Sequence, residues 1–474
     1  TLIPLLPSAQ EAIRQRTFHA SGVWTPLRSA TADESLLVYF ARQVAQRPTH
    51  PAIEGNGVSI SYAELDQRSN QVAHAILTHV GATSQAIGIL TAHAHHTIVA
   101  LLGAWKAGKF IVALDGNDPP QRLSQLCDNA AAASLVTDAA TQPLASLVSA
   151  TLPSIVLEDA LATQSIHAPG LPISAALPAR LSYSSGSTGQ PKGILQTHKH
   201  LLNDSAAANE FFHIGFHDRF LYFMVGFELF ASLATGATIV PFDLRQNTLR
   251  ALADTLQQEA ITTVRIKPTV FRQLAGTLRP DEQLPAMRLL HLVGEATYRR
   301  DIELFKKHCN ADCILSVTFG TQESLNCQHY LINQQSALES GRVPVGYAMA
   351  GRTVKIVDKT GVPVGAGETG EIVIQSRYLS PGYWQQDALT TEKFHPDPQG
   401  GDERSYYTGD LGYLQPDGCL FHLGRQDFRL KIRGYTVEPA EVELALLNSG
   451  LVKDAIVTGF TTPLVSSGTM LGAI

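Results

Sequence analysis

Twelve consecutive residues, Ser182-Tyr183-Ser184-Ser185-Gly186-Ser187-Thr188-Gly189-Gln190-Pro191-Lys192-Gly193, crowd five Ser/Thr hydroxyls and three glycines around one lysine. Hydroxyls and backbone N–H groups ligate anions, and glycine lets the backbone approach an anion closely. A segment of this composition is built to hold phosphate. It is not the common phosphate loop, whose pattern G-x-x-x-x-G-K-[ST] needs a second glycine five positions after the first. Five positions after Gly186 stands Pro191. The chain therefore handles a nucleotide differently from the P-loop NTPases.

The 474 residues are 44% hydrophobic and 16% charged, the balance of a soluble globular protein with large cores and room for more than one domain. A formal net charge of −6 gives no basic face for nucleic acid. No apolar run reaches the ~18 residues of a membrane span. Neither nucleic acid nor membrane is expected as a partner. The beginning, Thr1-Leu2-Ile3-Pro4, carries no basic and apolar leader, and the missing initiator methionine reads as a trimmed or excised chain. Five unpatterned cysteines, Cys127, Cys309, Cys313, Cys327 and Cys419, read as reduced thiols and point to the cytoplasm. Cys309 and Cys313 lack the second pair that completes a zinc site and read as packing residues. His93, His95 and His96 read as helix-start or surface histidines.

Apolar periodicity alternates between helix and short strand. Ala63–Val80, Thr97–Lys106, Leu249–Glu259 and Thr269–Leu274 read as helices; Ala86–Leu90, Ser154–Leu157, Thr262–Ile266 and Leu289–Val293 read as strands. This is the pattern of an α/β chain with mostly parallel sheets. After about Gly341 the sequence turns β-rich, as in Gly367–Ile374. Gly424-Arg425-Gln426-Asp427 then precedes a basic alternating strand, Phe428–Ile432. A boundary there divides the chain into 1–425 and 426–474, the second part being too short for a core of ordinary size.

Several polar groups lack an obvious structural role. Gly294-Glu295-Ala296 follows the strand Leu289–Val293, where the ligand-facing loop of an open sheet sits. Phe319-Gly320-Thr321-Gln322-Glu323 follows the apolar Cys313–Val317 and offers an aromatic plane, a turn and a carboxylate. Tyr407-Thr408-Gly409-Asp410 offers a carboxylate at a turn. An aromatic ring can stack on a base, Asp can take both hydroxyls of a ribose, and Glu can hold Mg²⁺ against phosphates. In this order the segments resemble the adenylate-forming superfamily of acyl- and aryl-CoA ligases, firefly luciferase and the adenylation domains of nonribosomal peptide synthetases. The resemblance covers nearly the whole chain. Ser61–Leu65, Leu102–Gly108 with Leu114-Asp115 and Arg122-Leu123, the serine- and glycine-rich loop, Gly370-Glu371-Ile372, Ser380–Tyr383, Tyr407–Leu411 and Gly424–Glu443 stand where that superfamily has its core motifs. Arg122-Leu123 and Lys431–Tyr435 look most like the synthetase adenylation domains.

The resemblance implies an α/β fold: a large N-terminal domain of two mostly parallel sheets with helices plus a distorted β-barrel, then a truncated small α+β sub-domain. The implied reaction joins a carboxylic acid to ATP as an acyl-adenylate, releases pyrophosphate, and passes the acyl group to a thiol, the phosphopantetheine of a carrier protein domain. By the same resemblance, Ser184, Ser185, Gly186, Ser187, Thr188 and Gly189 clamp the β- and γ-phosphates, with Thr188 and Lys192 among the catalytic groups. Glu323, also counted as catalytic, is the Mg²⁺ ligand. Gly294, Glu295, Ala296, Phe319 and Gly320 line the adenine, and Asp410 and Arg425 hold the ribose. Asp427 is the hinge of the small sub-domain. Lys431, also counted as catalytic, reads either as a contact to the pantetheine arm or carrier, or as a solvated strand charge.

Two departures from the superfamily pattern bear on function. Amino-acid-activating domains carry an Asp, in a Phe-Asp-x-Ser-Val-Trp-Glu segment, that pairs with the substrate ammonium. The matching run Tyr222–Glu228 has Phe223 in that place. A buried ammonium without a counter-charge is costly. The expected substrate therefore lacks an α-amino group: a 2-oxo acid first, then an aryl or aliphatic acid, with an amino acid in an unusual pocket still open. The remaining pocket positions are Met224, Phe227, Arg265, His291, Val293, Thr318, Asn326 and Cys327. Arg265 and His291 read as holding a carbonyl or polar tail, or Arg265 as pairing with a neighbouring carboxylate. Second, the late catalytic lysine of the superfamily's small domain is absent before Ile474. A truncated chain accounts for this, as does a ketoreductase or other tailoring domain inserted after Ile474. A stand-alone aryl- or acyl-CoA ligase is the alternative reading, and a catalytically silent nucleotide-binding remnant the third.

Overall fold

In a computed structural model of the chain, residues 6–27, 34–55, 57–185, 191–223, 225–337 and 342–426 are described, and beyond them 430–432, 435–437, 442–443, 446, 452, 455, 457–461 and 469–473. Two sheets with parallel centres carry most of the fold. One has seven strands, ordered Gly382–Tyr383, Pro191–Thr197, Pro178–Ser185, Phe110–Ala113, Ala86–Leu90, Ala132–Thr137 and Ser154–Val156, with only the first two pairings antiparallel. The other has nine, ordered Tyr347–Ala348, Leu325–Ile332, Ile314–Thr321, Leu289–Val293, Thr263–Ile266, Arg219–Tyr222, Thr238–Pro241, Pro51–Gly55 and Val58–Ser61. Its five central pairings are parallel. The β-rich part is a five-stranded antiparallel sheet in which Gly370–Ser376 and Arg404–Leu414 are central. Among the described residues no closed barrel is detected in it. Of the 426–474 segment, two hairpins are described: Leu430–Ile432 with Tyr435–Val437, and Val457–Thr461 with Thr469–Ala473. Asp427 lies outside the described residues.

The expected elements appear with small shifts: helices at Tyr62–Val80, Ala94–Lys106, Leu249–Gln258 and Pro268–Ala275, and strands at Ala86–Leu90, Ser154–Val156, Thr263–Ile266 and Leu289–Val293. His93 is the residue before its helix. The larger difference is at Phe319 and Gly320, which continue the strand Ile314–Thr321 rather than leave it. Gly320 makes this possible: a Cβ there would stand 2.0 Å from the carbonyl oxygen of Leu325 in the neighbouring strand. Among the described residues no helix is long and apolar enough to cross a membrane, and the five cysteines are free and buried.

The segments that carry the resemblance are largely scaffold. Ser61-Tyr62-Ala63-Glu64 is a capping box: the Glu64 carboxylate accepts from Ser61 N (2.8 Å), and Ser61 Oγ accepts from Glu64 N (3.3 Å). Lys106 Nζ donates to Asp66 Oδ1 (2.7 Å), Ser69 Oγ (2.8 Å) and Asn70 Oδ1 (2.7 Å), tying two helices together. Trp105 Nε1 donates to Ala179 O (2.7 Å) and so anchors the strand that leads to the serine- and glycine-rich loop. That loop is the tip of an antiparallel hairpin in which Ser184 faces Lys192 and Ser185 faces Pro191. A P-loop instead runs from strand into helix. The tip, with Gly186, Ser187, Thr188 and Gly189, lies outside the described residues, as does Met224.

Three buried histidines, His198, His200 and His291, are held by burial to pKa values of about 3, far below the ordinary 6.5. Below about pH 6.5 the unfolded chain takes up protons that the folded chain refuses, so stability rises with pH through this range. The urea midpoint is expected to be lower at pH 5 than at pH 7, and His291→Phe to narrow that difference.

Candidate active site

The carboxyl ends of the parallel strands converge on one edge of the nine-stranded sheet. Tyr222 leads to Phe223, Val293 to Gly294, and Thr321 to Glu323. Ligands of open α/β sheets bind at such an edge. The loop hairpin of the other sheet faces it. Ser182 Oγ donates to Gln322 Oε1 (3.2 Å), and Gln196 Nε2 donates to Gln322 O (2.9 Å).

Glu323, next in the chain, is buried. The Tyr383 hydroxyl donates to its Oε1 (2.9 Å), and Ser380 N donates to its main-chain oxygen (2.8 Å). Burial, reinforced by the charge of Glu323, pushes the Tyr383 and Tyr406 hydroxyls well above the usual tyrosine range, so both stay neutral. Lys192 Nζ stands 6.0 Å from the centre of the Tyr383 ring. The expected phosphate lysine and the expected magnesium ligand thus share one tyrosine. Among the described residues no group of three or more His, Cys, Asp or Glu is arranged to hold an ion by itself. A single carboxylate fits Mg²⁺, which commonly takes one or two carboxylates and completes its shell with water and nucleotide phosphates.

At the nucleotide end, the Phe319 ring lies 5.1 Å from that of His422, and His422 Nε2 donates to Asp410 Oδ1 (3.2 Å). Asp410 pairs in register with Arg425. Gly409, at φ +75°, passes under the Arg425 guanidinium, where an added Cβ would stand 3.3 Å from Nη2. Phe319, Asp410 and Arg425 are therefore brought together, with His422 between them. Sequence reasoning missed His422; the register shift between Leu411 and Gly412 hides which face it occupies. Glu295 serves the scaffold. Its carboxylate accepts from Thr269 N (3.1 Å) and Oγ1 (2.6 Å), capping the helix Pro268–Ala275. Gly294 beside it, at φ +80°, borders open space.

The acid-pocket positions separate into two groups. Register aligns Arg265 with His291, and Val293 with Thr318, along one face of the sheet. Leu290, Leu292, Leu315 and Val317 pack on the opposite face. Arg265 Nη1 donates to Asn326 Oδ1 (2.8 Å), its Nε lies 3.8 Å from Glu228 Oε1, and its guanidinium stands 5.3 Å from the Phe227 ring. Asn326 N and Nδ2 donate to the two oxygens of Asp204 (3.1 and 2.8 Å), and Arg352 Nη2 reaches Asp204 Oδ1 at 3.3 Å. Burial pushes the Asp204 and Glu228 carboxyls up in pKa despite these arginines. Among the described residues, His291 Nε2 is buried without a hydrogen-bond partner. The other group is apolar. Phe223 packs on the opposite cluster, 6.4 Å from the Phe242 ring, and Cys327 is buried with its Sγ against Ser324 O and Leu325 O. Lys431 lies in the strand Leu430–Ile432 opposite Thr436.

This arrangement has parallels among known proteins. The family described as AMP-binding enzyme matches residues 40–384. Gramicidin S synthase 2 of Brevibacillus brevis is 30% identical over 429 residues, 88% of this chain and 9% of that protein. Surfactin synthase subunit 1 of Bacillus subtilis is 30% identical over 90% of this chain and 12% of its own length. The chain thus spans a small part of the curated relatives it matches. Among solved structures, NpsA-ThdA, an artificially fused adenylation–PCP di-domain from Klebsiella oxytoca, has a TM-score of 0.77 at 21% identity, covering 94% of this chain and 89% of that one. These likenesses agree with the two-sheet architecture.

Proposed function

The chain belongs to the family of AMP-binding enzymes, and from that premise we propose that it activates a carboxylic acid with ATP as an acyl-adenylate and passes the acyl group to the phosphopantetheine of a carrier domain in a nonribosomal peptide synthetase. The observation that carries the reading is the placement of Glu323, buried under Tyr383 and joined through Gln322 to the loop hairpin. Two anions, the acid carboxylate and the α-phosphate, must meet, and fixed positive charge and hydrogen-bond donors facing them lower the barrier. Lys192 and the hydroxyls of the loop serve the β- and γ-phosphates. Glu323 would hold Mg²⁺, which when bound neutralises phosphate charge. Asp410 takes the ribose hydroxyls, and its bond to His422 orients the carboxylate. Residues 1–425 form the adenylation core; 426–474 begin a small sub-domain with Asp427 as hinge and Lys431 toward the carrier.

The acid lacks an α-amino group. Phe223 offers an ammonium nothing, and the two carboxylates nearest the pocket are engaged, Glu228 facing Arg265 and Asp204 held by Asn326 and Arg352. Arg265 and the unpartnered His291 Nε2 suit a carbonyl oxygen, which favours a 2-oxo acid. ATP–pyrophosphate exchange by the full-length protein, over amino, 2-oxo, 2-hydroxy, aryl and fatty acids, tests this. Exchange is expected with 2-oxo acids; strong exchange with α-amino acids and none with their 2-oxo counterparts overturns the substrate. Acyl loading of a carrier domain, against turnover with free CoA, separates the synthetase reading from a stand-alone ligase.

A further inference from the structure

The strand Pro178–Ser185 carries one residue that no part of this reaction uses. Ala179, Leu181 and Tyr183 pack into apolar clusters, so Arg180 and Ser182 point to the opposite face, into the cleft where Ser182 meets Gln322. Tyr222, at the carboxyl end of a strand of the other sheet, and Glu228 just beyond it lie within electrostatic reach of Arg180. Arg180 is partly buried, and the desolvation this brings lowers its pKa to about 10. Among the described residues its guanidinium makes one hydrogen bond, Nη2 to Ser182 Oγ at 3.3 Å, and has no carboxylate within ion-pair distance. A guanidinium has five N–H donors.

Two carboxylates near it, Glu228 and Asp204, already face other arginines. Arg265 lies 3.8 Å from Glu228, and Arg352 lies 3.3 Å from Asp204. A partly desolvated cation with no carboxylate partner is unfavourable, and a guanidinium is shaped to take a carboxylate through two parallel hydrogen bonds. The phosphates are not that partner. Arg180 stands five residues before Ser185, about 17 Å along an extended strand and away from the loop.

We propose that Arg180 binds a second anionic group on the acid being activated, at the end remote from the reacting carboxylate, so that the substrate is a dicarboxylic acid. This rests on the adenylation reading and narrows it; the 2-oxo group and the second carboxylate are compatible on one molecule.

The test is ATP–pyrophosphate exchange by the full-length protein with matched pairs: 2-oxoglutarate against 2-oxopentanoate, and glutarate against pentanoate. The dicarboxylate of each pair is expected to have the higher kcat/KM. In Arg180→Gln the ratio of dicarboxylate to monocarboxylate falls about 10- to 100-fold, the range for one charge-assisted contact, through KM more than kcat. Arg180→Lys keeps part of the ratio. A purely structural Arg180 moves both members of a pair alike and leaves the ratio unchanged, which overturns the proposal. So do equal rates for both members in the parent protein. Exchange with monocarboxylates alone overturns this proposal and spares the adenylation reading; exchange with no acid overturns both.

Discussion

Glu323→Gln lowers ATP–pyrophosphate exchange about 10²- to 10³-fold, the cost seen when one group that stabilises transition-state charge is removed. The substitution preserves shape. The amide oxygen of glutamine still accepts the Tyr383 hydroxyl, and the main-chain contact from Ser380 is untouched. What disappears is the negative charge in a buried position among Tyr383, Tyr406 and the loop hairpin. The melting temperature is therefore expected to stay close to that of the parent, and the loss to appear in the magnesium dependence of exchange. Tyr383→Phe is the milder control. It removes one hydrogen bond to the Glu323 carboxyl group and is expected to cost about 10- to 100-fold, in line with ~1.5–3 kcal/mol for a bond to a charged group. A glutamine variant that exchanges at the parent rate removes Glu323 from the reaction.

What could be read in the sequence, and what could not, follows from the range over which each signal acts. The loop could be singled out as a candidate because its chemistry is contiguous: hydroxyls, glycines and a lysine within twelve residues. Strands such as Leu289–Val293 were legible from local apolar runs, and Glu323 and Asp410 were singled out as candidates by the order of the segments that carry the family resemblance. Sequence placed Phe319 after a strand, whereas the structure keeps it within one, because a single glycine, Gly320, lets the neighbouring Leu325 carbonyl approach. Glu295 stood in the expected segment, but its carboxylate is spent on a helix cap formed 26 residues away. Arg180 shows the limit most clearly. Alternation in Ala179-Arg180-Leu181-Ser182 says that Arg180 and Ser182 share a face, yet it cannot say that the face looks into a cleft between two sheets. Asp204 and Arg352 are 148 residues apart, and no periodicity links them.

That pair sets the second large expectation. Arg352→Met destabilises the protein by about 3–5 kcal/mol, the range for leaving a buried charge without its partner. The side chains of Arg352 and Asp204 are only 1% and 4% exposed, so solvent cannot take over the charge that is left. Burial already raises the Asp204 pKa, and losing Arg352, which opposes that rise, lifts it further. A carboxyl whose folded pKa lies above its unfolded value is least harmful at low pH, where it is protonated in both states. The gap between variant and parent is therefore expected to narrow from pH 8 to pH 5, although both proteins lose stability on acidification through their buried histidines. Asp204→Leu with Arg352→Met removes both charges and is expected to recover part of the loss, with a coupling well above the few tenths of a kcal/mol of independent sites. Asp204 also orients Asn326, which holds Arg265. The same variants are thus expected to raise KM for the acid more than KM for ATP. Single-variant losses that simply add in the double variant would show that Asp204 and Arg352 do not act as a unit, and the line of contacts from Arg352 to Arg265 would then carry no coupling to the acid.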